Sequence, residues 1–303
     1  MNKQIGRLMI LSLLVVGLIS TNTLAQKGKP AVKTAKPIIF AVLNDGKTVE
    51  PLAYVNRGKL ENPVNGSDDS GIVTAFGKSY YKPGTAYKMI FGGSNAGTVK
   101  IKSSDPKAEC SSNMADVASV SSKTTLRGMV MALATNAAVS NKAASYRRKP
   151  TPAERSEFEA LVRSVFVKNK LTPKELKSQN LTALDVNNDG KAELVGTYWI
   201  DVDRKTRGLV FMIADKGSNG KYVAGHSDYR SIDEEGTMSG DIKNVDEGVY
   251  HEMLLDVFDY DGDGTAEIFT YVQSFEGAGF TAYKRDSGKW TNAYEFSNYH
   301  CGY

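Results

Sequence analysis

Short apolar runs bounded by turn residues predict that most of the chain forms β-strands. Ile38–Val42 runs into Asn44–Gly46, whose residues tolerate a positive φ, and a second extended run follows. Tyr87–Phe91 and Thr98–Ile101 flank a glycine-rich turn in the same way. Both patterns are typical of β-hairpins, so residues 37–145 are predicted to form a β-rich N-terminal domain.

Two stretches of this region need separate interpretation. The turn Gly92–Gly97 has neither the Gly-Lys-Ser/Thr ending nor the following helix of a phosphate-binding loop, so it is interpreted as a plain turn. Further on, Met129–Leu133 fits a buried strand and, together with Leu126, a helix equally well. Both alternatives remain open at this point.

Helical spacing marks the middle of the chain. Thr151–Glu154 reads Thr-Pro-Ala-Glu, a capping box with proline at the first helical position, and apolar residues follow at helical spacing up to Phe166. This pattern predicts a central helix over about 152–168. Thr172–Glu175 repeats the same start signal and predicts a second, shorter helix before Asn180. With the basic stretch Tyr146–Pro150, residues 146–179 are predicted to be a linker plus helices.

The remaining residues, 180–303, contain an internal repeat. Leu184–Leu194 (LDVNNDGKAEL) matches Phe258–Ile268 (FDYDGDGTAEI), and Asn219–Tyr222 matches Ser287–Trp290. The eight predicted strands are at about 180–186, 192–202, 206–215 and 221–227, then 250–258, 266–275, 279–285 and 289–297. The predicted fold is therefore mainly β with a minor α part, ending in a pair of four-stranded antiparallel sheets.

The repeated acidic loops are the strongest chemical signal. Each places side-chain oxygens at positions 1, 3, 5 and 9, a glycine at 6 and a backbone carbonyl at 7, which suits a hard divalent cation. In loop one (residues 185–193) the predicted ligands are Asp185, Asn187, Asp189, the Lys191 carbonyl and Glu193. In loop two (residues 259–267) they are Asp259, Asp261, Asp263, the Thr265 carbonyl and Glu267.

Calcium is the predicted ion. Calcium is coordinated by six to eight oxygens in flexible geometry, whereas magnesium requires octahedral coordination and zinc is usually bound by His or Cys. The loops are not EF-hands, because the bidentate glutamate of that motif belongs at position 12, here Gly196 or Thr270. Loop two offers four carboxylates and loop one three, so loop two is predicted to bind calcium more tightly.

The two copies resemble FG-GAP (VCBS-type) repeats, in which a D-x-[DN]-x-D-G-x-x-[DE] loop joins two strands of a β-propeller blade and binds calcium. The resemblance covers about 180–228 and 250–298. It implies propeller-blade-like sheets with calcium as cofactor. With two copies only, the sheets could pack face to face as a sandwich or recruit N-terminal strands.

The N-terminal segment has the layout of a secretory signal. Lys3 and Arg7 precede the apolar run Leu8–Ile19, and Thr23–Ala25 supplies small residues at the cleavage point. Residues 1–25 are therefore predicted to be a cleaved signal peptide, followed by a basic linker over 26–36, and the protein to be secreted or periplasmic. The apolar run is too short for a membrane anchor, and no later stretch is long enough to span a bilayer.

Composition and cysteine content refine this picture. With 41% hydrophobic and 24% charged residues, the chain has the composition of an ordinary folded protein rather than a disordered one. The formal net charge of +4 falls further without the signal, so neither nucleic acid nor a lipid surface is indicated as a partner. The two cysteines, Cys110 and Cys301, are predicted to form a disulfide in an oxidising compartment.

No recognisable catalytic motif accompanies His226, His251 or His300. The leading hypothesis is a secreted calcium-binding protein that binds an unknown protein or carbohydrate ligand and is not a catalyst. Aromatic side chains on the C-terminal strands could contribute to that binding surface. The alternative hypothesis is an exported hydrolase with its active site in the N-terminal domain or the domain cleft.

Overall fold

The computed structural model of the chain describes residues 35–140 and 147–301. The predicted signal peptide, most of the predicted basic linker and residues 141–146, where the domain boundary was placed, lie outside the described residues. Among the helices that are described, none is long and apolar enough to span a membrane. The described part is mainly β, with antiparallel sheets and three helices.

The N-terminal part is a closed antiparallel barrel of six strands, which a short seventh strand, β3, extends. In chain order the strands are β1 (Ile38–Leu43), β2 (Thr48–Asn56), β3 (Lys59–Glu61), β4 (Ala86–Phe91), β5 (Ser94–Ser103), β6 (Ala115–Ser121) and β7 (Ala132–Thr135). The ring runs β1-β7-β4-β5-β6-β2 and closes where β2 pairs with β1. Both predicted hairpins, β1–β2 and β4–β5, are confirmed, and the open segment contributes strand β7.

The barrel interior is filled from its own walls and by one helix that the sequence analysis did not predict. Helix α1 (Ser70–Tyr80) turns Val73, Phe76 and Tyr80 toward the core, where they join Phe40 and other strand residues. These three residues recur at helical spacing, so the signal for α1 was present in the sequence.

The predicted central helix is confirmed as α2 (Pro152–Lys168). The Thr151 hydroxyl accepts a hydrogen bond from the Glu154 amide at 3.2 Å, and the Glu154 carboxylate accepts one from the Thr151 amide at 2.8 Å. The second predicted helix is wrong, because no helix forms over 172–180 and a strand begins at Lys177. The start signal there precedes no apolar helical face, and strand pairing satisfies the backbone instead.

The C-terminal part consists of two antiparallel meanders. The first meander contains β8 (Arg147–Arg148), β9 (Lys177–Leu184), β10 (Glu193–Asp201), β11 (Thr206–Lys216) and β12 (Tyr222–Asp233). A short helix, α3 (Lys243–Asp246), precedes the second meander, which contains β13 (Glu252–Phe258), β14 (Glu267–Gln273), β15 (Gly277–Asp286) and β16 (Lys289–Tyr299). Each of the eight predicted strands corresponds to one observed strand, although β12 continues to Asp233, beyond the predicted end at about 227. The predicted four-stranded sheet is found in the second meander, whereas β8 pairs with β9 and makes the first a five-stranded sheet.

The layers stack in the order α2, first meander, second meander, barrel. Phe158 and Phe166 of α2 pack on the first meander, whose other face shares a core with the second meander through Phe211, Ile268 and Trp290. The far face of the second meander packs on the outside of the barrel. Strand β13 is therefore covered on both faces, which explains why all seven of its residues are buried.

The barrel is fixed to the second meander by a buried carboxylate. Asp256 of β13 accepts hydrogen bonds from the amides of Gly92 and Gly93 at 3.1 and 3.2 Å. Arg147 of β8 forms a 3.3 Å ion pair with the same carboxylate and donates to the Leu255 carbonyl at 2.8 Å. The glycine turn thus binds an acidic group of its own chain. Arg147, predicted to lie in a linker, belongs to a strand and is nearly buried.

A disulfide joins the barrel to the end of the last strand. Cys110, in the loop after β5, is bonded to Cys301, just beyond β16, with the Cα atoms 4.9 Å apart. The predicted pairing is confirmed. Next to the bond, the Ser111 amide donates to the His300 carbonyl at 3.1 Å.

Candidate metal centres

The two acidic loops occupy the same place in the two meanders and have matching backbones. Loop one joins β9 to β10, and loop two joins β13 to β14. In both, positions 4 and 6 have positive φ: Asn188 and Gly190 in loop one, Gly262 and Gly264 in loop two. Asparagine and glycine tolerate this conformation best, which explains their presence at these positions.

Four hydrogen bonds recur in both loops. The position-1 aspartate accepts from the position-6 amide, at 2.8 Å in loop one and 3.3 Å in loop two. The position-3 side chain accepts from the position-5 amide, at 3.3 Å in loop one and 3.1 Å in loop two. The position-5 aspartate accepts from the position-7 amide at 2.8 Å in each case. The position-9 glutamate accepts from the position-2 amide, at 3.2 Å in loop one and 3.4 Å in loop two. Repeated bonds of this kind hold all four predicted side-chain ligands of each loop in place.

Loop two brings its carboxylates together. One oxygen from each of Asp259, Asp261 and Glu267 lies within 4.8 Å of the others, as in a cation-binding cluster. Lys284 of β15 reaches the same cluster: its ammonium contacts Asp261 directly, Asp263 at 2.7 Å and Glu267 at 3.2 Å. The centre of loop two therefore already contains a positively charged group.

Loop one has a different neighbour. Strand pairing of β10 with β11 places Asp215 across from Glu193, and Asp215 accepts a hydrogen bond from the Trp290 indole at 2.9 Å. Arg285 of the second meander contacts Glu193 at 3.3 Å and Asp215 at 3.4 Å. Asp185 and Glu193 are both buried. Loop one therefore has one further carboxylate beside it, but among the described residues only the carboxylates of loop two form a compact group that could hold a metal ion.

The position-9 glutamates both have raised pKa values, chiefly because they are buried. Burial raises the pKa of Glu193 to about 7, although the charge of Arg285 opposes the shift. Burial and the charge of Asp261 raise the pKa of Glu267 to about 8, although Lys284 opposes it. Burial alone would lower the pKa of Lys284, but its hydrogen bonds to Asp261 and Asp263 and the charge of Glu267 raise it. A cation in either loop would stabilise the ionised glutamate.

The donor chemistry of the loops is compatible with a hard cation such as calcium. The predicted side-chain ligands of both loops offer oxygen only, three from carboxylates and one from an amide in loop one, and four from carboxylates in loop two. Such a set suits a hard cation and excludes the nitrogen and sulfur ligation typical of zinc. The carbonyls of Lys191 and Thr265 would complete the sets.

Sequence reasoning missed the three residues that reach the loops from neighbouring strands, namely Lys284, Asp215 and Arg285. They are far from the loops in sequence, so loop spacing alone does not show them. The pairing of strands within the hairpins does indicate Lys284 and Asp215, because Tyr283 pairs with Ile268 and Ala214 pairs with Leu194. Extending each register by one residue places Lys284 opposite Glu267 and Asp215 opposite Glu193.

The other candidate residues have local structural contacts. His226 lies against the Tyr283 ring at 4.7 Å, His251 is buried against Trp199, and His300 bonds Glu50 at 2.7 Å. A cleft of about 400 Å³ between the barrel and the second meander is lined by Glu50, His300, the disulfide and residues near Tyr271. Glu50 is fully buried and also accepts from Asn298, which ties the last strand to the barrel.

Most of the C-terminal aromatic side chains that could have formed a binding surface are in the core. Trp199, Phe280 and Trp290 are buried, whereas Tyr299 is 40% exposed. Comparison with protein-family models, with curated proteins and with solved structures finds no match to this chain.

Proposed function

We propose that this protein is a secreted or periplasmic calcium-binding protein that acts by binding rather than by catalysis. Its calcium ions are structural: each neutralises buried carboxylates and fixes the turn between two strands. In this proposal each meander with its loop is a propeller-blade-like unit of FG-GAP type. The ligand is an unidentified protein or carbohydrate.

One observation carries the proposal. Two loops in different sheets share positive φ at positions 4 and 6 and the same four side-chain-to-amide hydrogen bonds. Any acidic turn could show one of these features, since Asp, Asn and Gly favour turns. Their joint recurrence around a buried glutamate supports a shared task, and oxygen ligands at this spacing suit calcium.

A thermal melt of the chain lacking residues 1–25 tests the proposal, with calcium in one arm and a chelator in the other. Because an ion that binds only the folded state stabilises it by mass action, calcium should raise the melting temperature, and more at higher concentration. Magnesium at the same concentration should raise it less.

A double variant identifies the loops as the source of the effect. Asp189→Ala with Asp263→Ala removes one carboxylate from each loop and should abolish most of the calcium response. Asp286→Ala, an exposed aspartate at the β15–β16 turn, is the matched control and should keep the response. Equal melting temperatures with calcium and chelator in the unsubstituted chain, together with no binding by titration calorimetry, would contradict the proposal.

A further inference from the structure

We propose that Lys284 takes the place of a divalent ion in loop two and holds the carboxylates of that loop together without calcium. The inference rests on the proposed function for loop one. For loop two it departs from that proposal: the internal ammonium is the resident cation, and calcium binds there only when Lys284 leaves.

The contacts of Lys284 define this role. Its ammonium contacts the carboxylates at positions 3, 5 and 9, which are three of the four side-chain ligands predicted for calcium. The Lys284 side chain is about one-quarter exposed and Glu267 only 1% exposed, so the contact with Glu267 is shielded from solvent. A lysine ammonium is a compact point charge with three donors, enough for these three carboxylates.

Lys284 and a calcium ion exclude one another. The ion would need the same oxygen atoms, and two positive groups a few ångströms apart in a partly buried site repel strongly. Calcium binding at loop two therefore costs the energy of breaking three ion pairs and moving Lys284 away. The unbound chain already has part of the charge compensation that an ion would supply.

Loop one differs at the equivalent position. Asp215 occupies in β11 the place that Lys284 occupies in β15, so loop one gains a carboxylate where loop two gains an ammonium. The cation near loop one is Arg285, which contacts Glu193 and Asp215. A planar guanidinium pairs with carboxylates from one side and is a poorer substitute for a central ion than an ammonium. The cost of displacing Lys284 thus opposes the ranking predicted from carboxylate counts, in which loop two binds calcium more tightly.

Calcium titration calorimetry on the chain lacking residues 1–25 tests the inference. The unsubstituted chain should bind one ion tightly, and Asp189→Ala in loop one should remove that site. Lys284→Met removes the charge but keeps the length of the side chain, and should add a second site at least about tenfold tighter than any weak binding at loop two in the unsubstituted chain. Lys284→Gln should do the same, and Lys289→Met, an exposed lysine on the same hairpin, should not.

Thermal melts in chelator give a second readout that does not depend on measured binding. Lys284→Met should melt below the unsubstituted chain in chelator, because its loop-two carboxylates lack a counter-charge, and calcium should recover the difference. Lys289→Met should show neither effect.

The outcomes separate this inference from the proposed function. Two sites of equal affinity in the unsubstituted chain, unchanged by Lys284→Met and Lys284→Gln, would overturn the inference and leave the proposed function standing. No tight site in the unsubstituted chain, with one site appearing in both Lys284 variants, would support the inference and refute calcium binding at loop one. A Lys284→Met chain that binds no ion at loop two and melts like the unsubstituted chain in chelator would overturn the inference.

Discussion

At the scale of single residues, one oxygen of the buried Glu50 carboxylate has specific partners from the end of the chain. Glu50 is fully buried inside the barrel wall, and one of its oxygens accepts from Asn298 at 2.7 Å and contacts His300 at 2.7 Å. Burial disfavours the charged imidazole, but the hydrogen bond and charge of Glu50 outweigh it and raise the pKa of His300 above 6.5. The Glu50–His300 contact therefore stabilises the fold most while the histidine is protonated.

Replacing His300 by Gln should lower stability in a pH-dependent way. Since the folded pKa of His300 is raised, its contribution is complete below about pH 6.5 and is lost as the pH rises through the folded value. We expect a loss of about 1.5 kcal/mol at about pH 5.5 and a smaller one at about pH 9, measured by urea denaturation. His226→Gln is the control, because burial lowers the pKa of His226 and the acid-side loss should be absent. Equal losses for His300→Gln at both pH values would contradict the assignment.

At the scale of elements, the hairpin β4–β5 docks on the second meander through two backbone amides and one carboxylate. Asp256 is fully buried and also accepts a hydrogen bond from the Val257 amide at 2.7 Å, so both of its carboxylate oxygens are hydrogen-bonded. Burial raises the pKa of Asp256, while Arg147 and the amides of this contact oppose the shift.

Removing the Asp256 carboxylate should be strongly destabilising. Asp256→Ala leaves the Arg147 guanidinium buried without its counter-charge and two glycine amides without an acceptor, so we expect a loss of about 3–5 kcal/mol in urea denaturation. Adding Arg147→Met should recover part of the loss, because the buried charge is then gone. Lys36→Met, which removes an exposed ion pair with Glu61, should cause no measurable change. A loss for Asp256→Ala as small as that of Lys36→Met would refute the role of this contact.

The elements that could be predicted are those whose signals are local. The capping box at Thr151 and the apolar face up to Phe166 define α2, and turn residues delimit the eight strands of the meanders. The second predicted helix failed because a start signal without an apolar face cannot compete with strand pairing to β10. The closed barrel also depends on pairings between segments that are distant in sequence, such as β1 with β7. No local pattern shows these pairings.

The candidate site was predictable to the same extent. The spacing within each loop predicts the candidate ligand positions, since positions 1 to 9 are contiguous in sequence. The residues that decide how the loops differ, Lys284 and Asp215, come from the paired strands. Aligning the predicted hairpins by register would have placed both residues beside the glutamates.

At the scale of the whole molecule, the covalent link between Cys110 and Cys301 closes a loop across most of the chain. The two cysteines are 191 positions apart, and the bond connects the barrel to the end of the last strand. Because a cross-link restricts the unfolded chain more as the loop lengthens, this one is expected to contribute strongly to stability.

Reduction of the disulfide should lower the free energy of unfolding by up to about 5 kcal/mol, the loop-closure value for a loop of this size. Urea denaturation with and without reductant measures the difference. The double variant Cys110→Ser with Cys301→Ser should match the reduced chain and be insensitive to reductant. Identical unfolding curves for the oxidised and reduced chains would contradict this expectation.

The alternation of side chains along β15 links the two acidic loops more closely than their sequence distance suggests. Lys284 contacts Glu267 of loop two, and its neighbour Arg285 contacts Glu193 of loop one in the other sheet. Two adjacent positions therefore supply counter-charges to both loops. A slip of one residue in the pairing of this strand would turn both side chains to the opposite faces of the sheet, away from the carboxylates that they contact. A one-residue insertion or deletion within β15 would therefore remove the counter-charges of both loops at once.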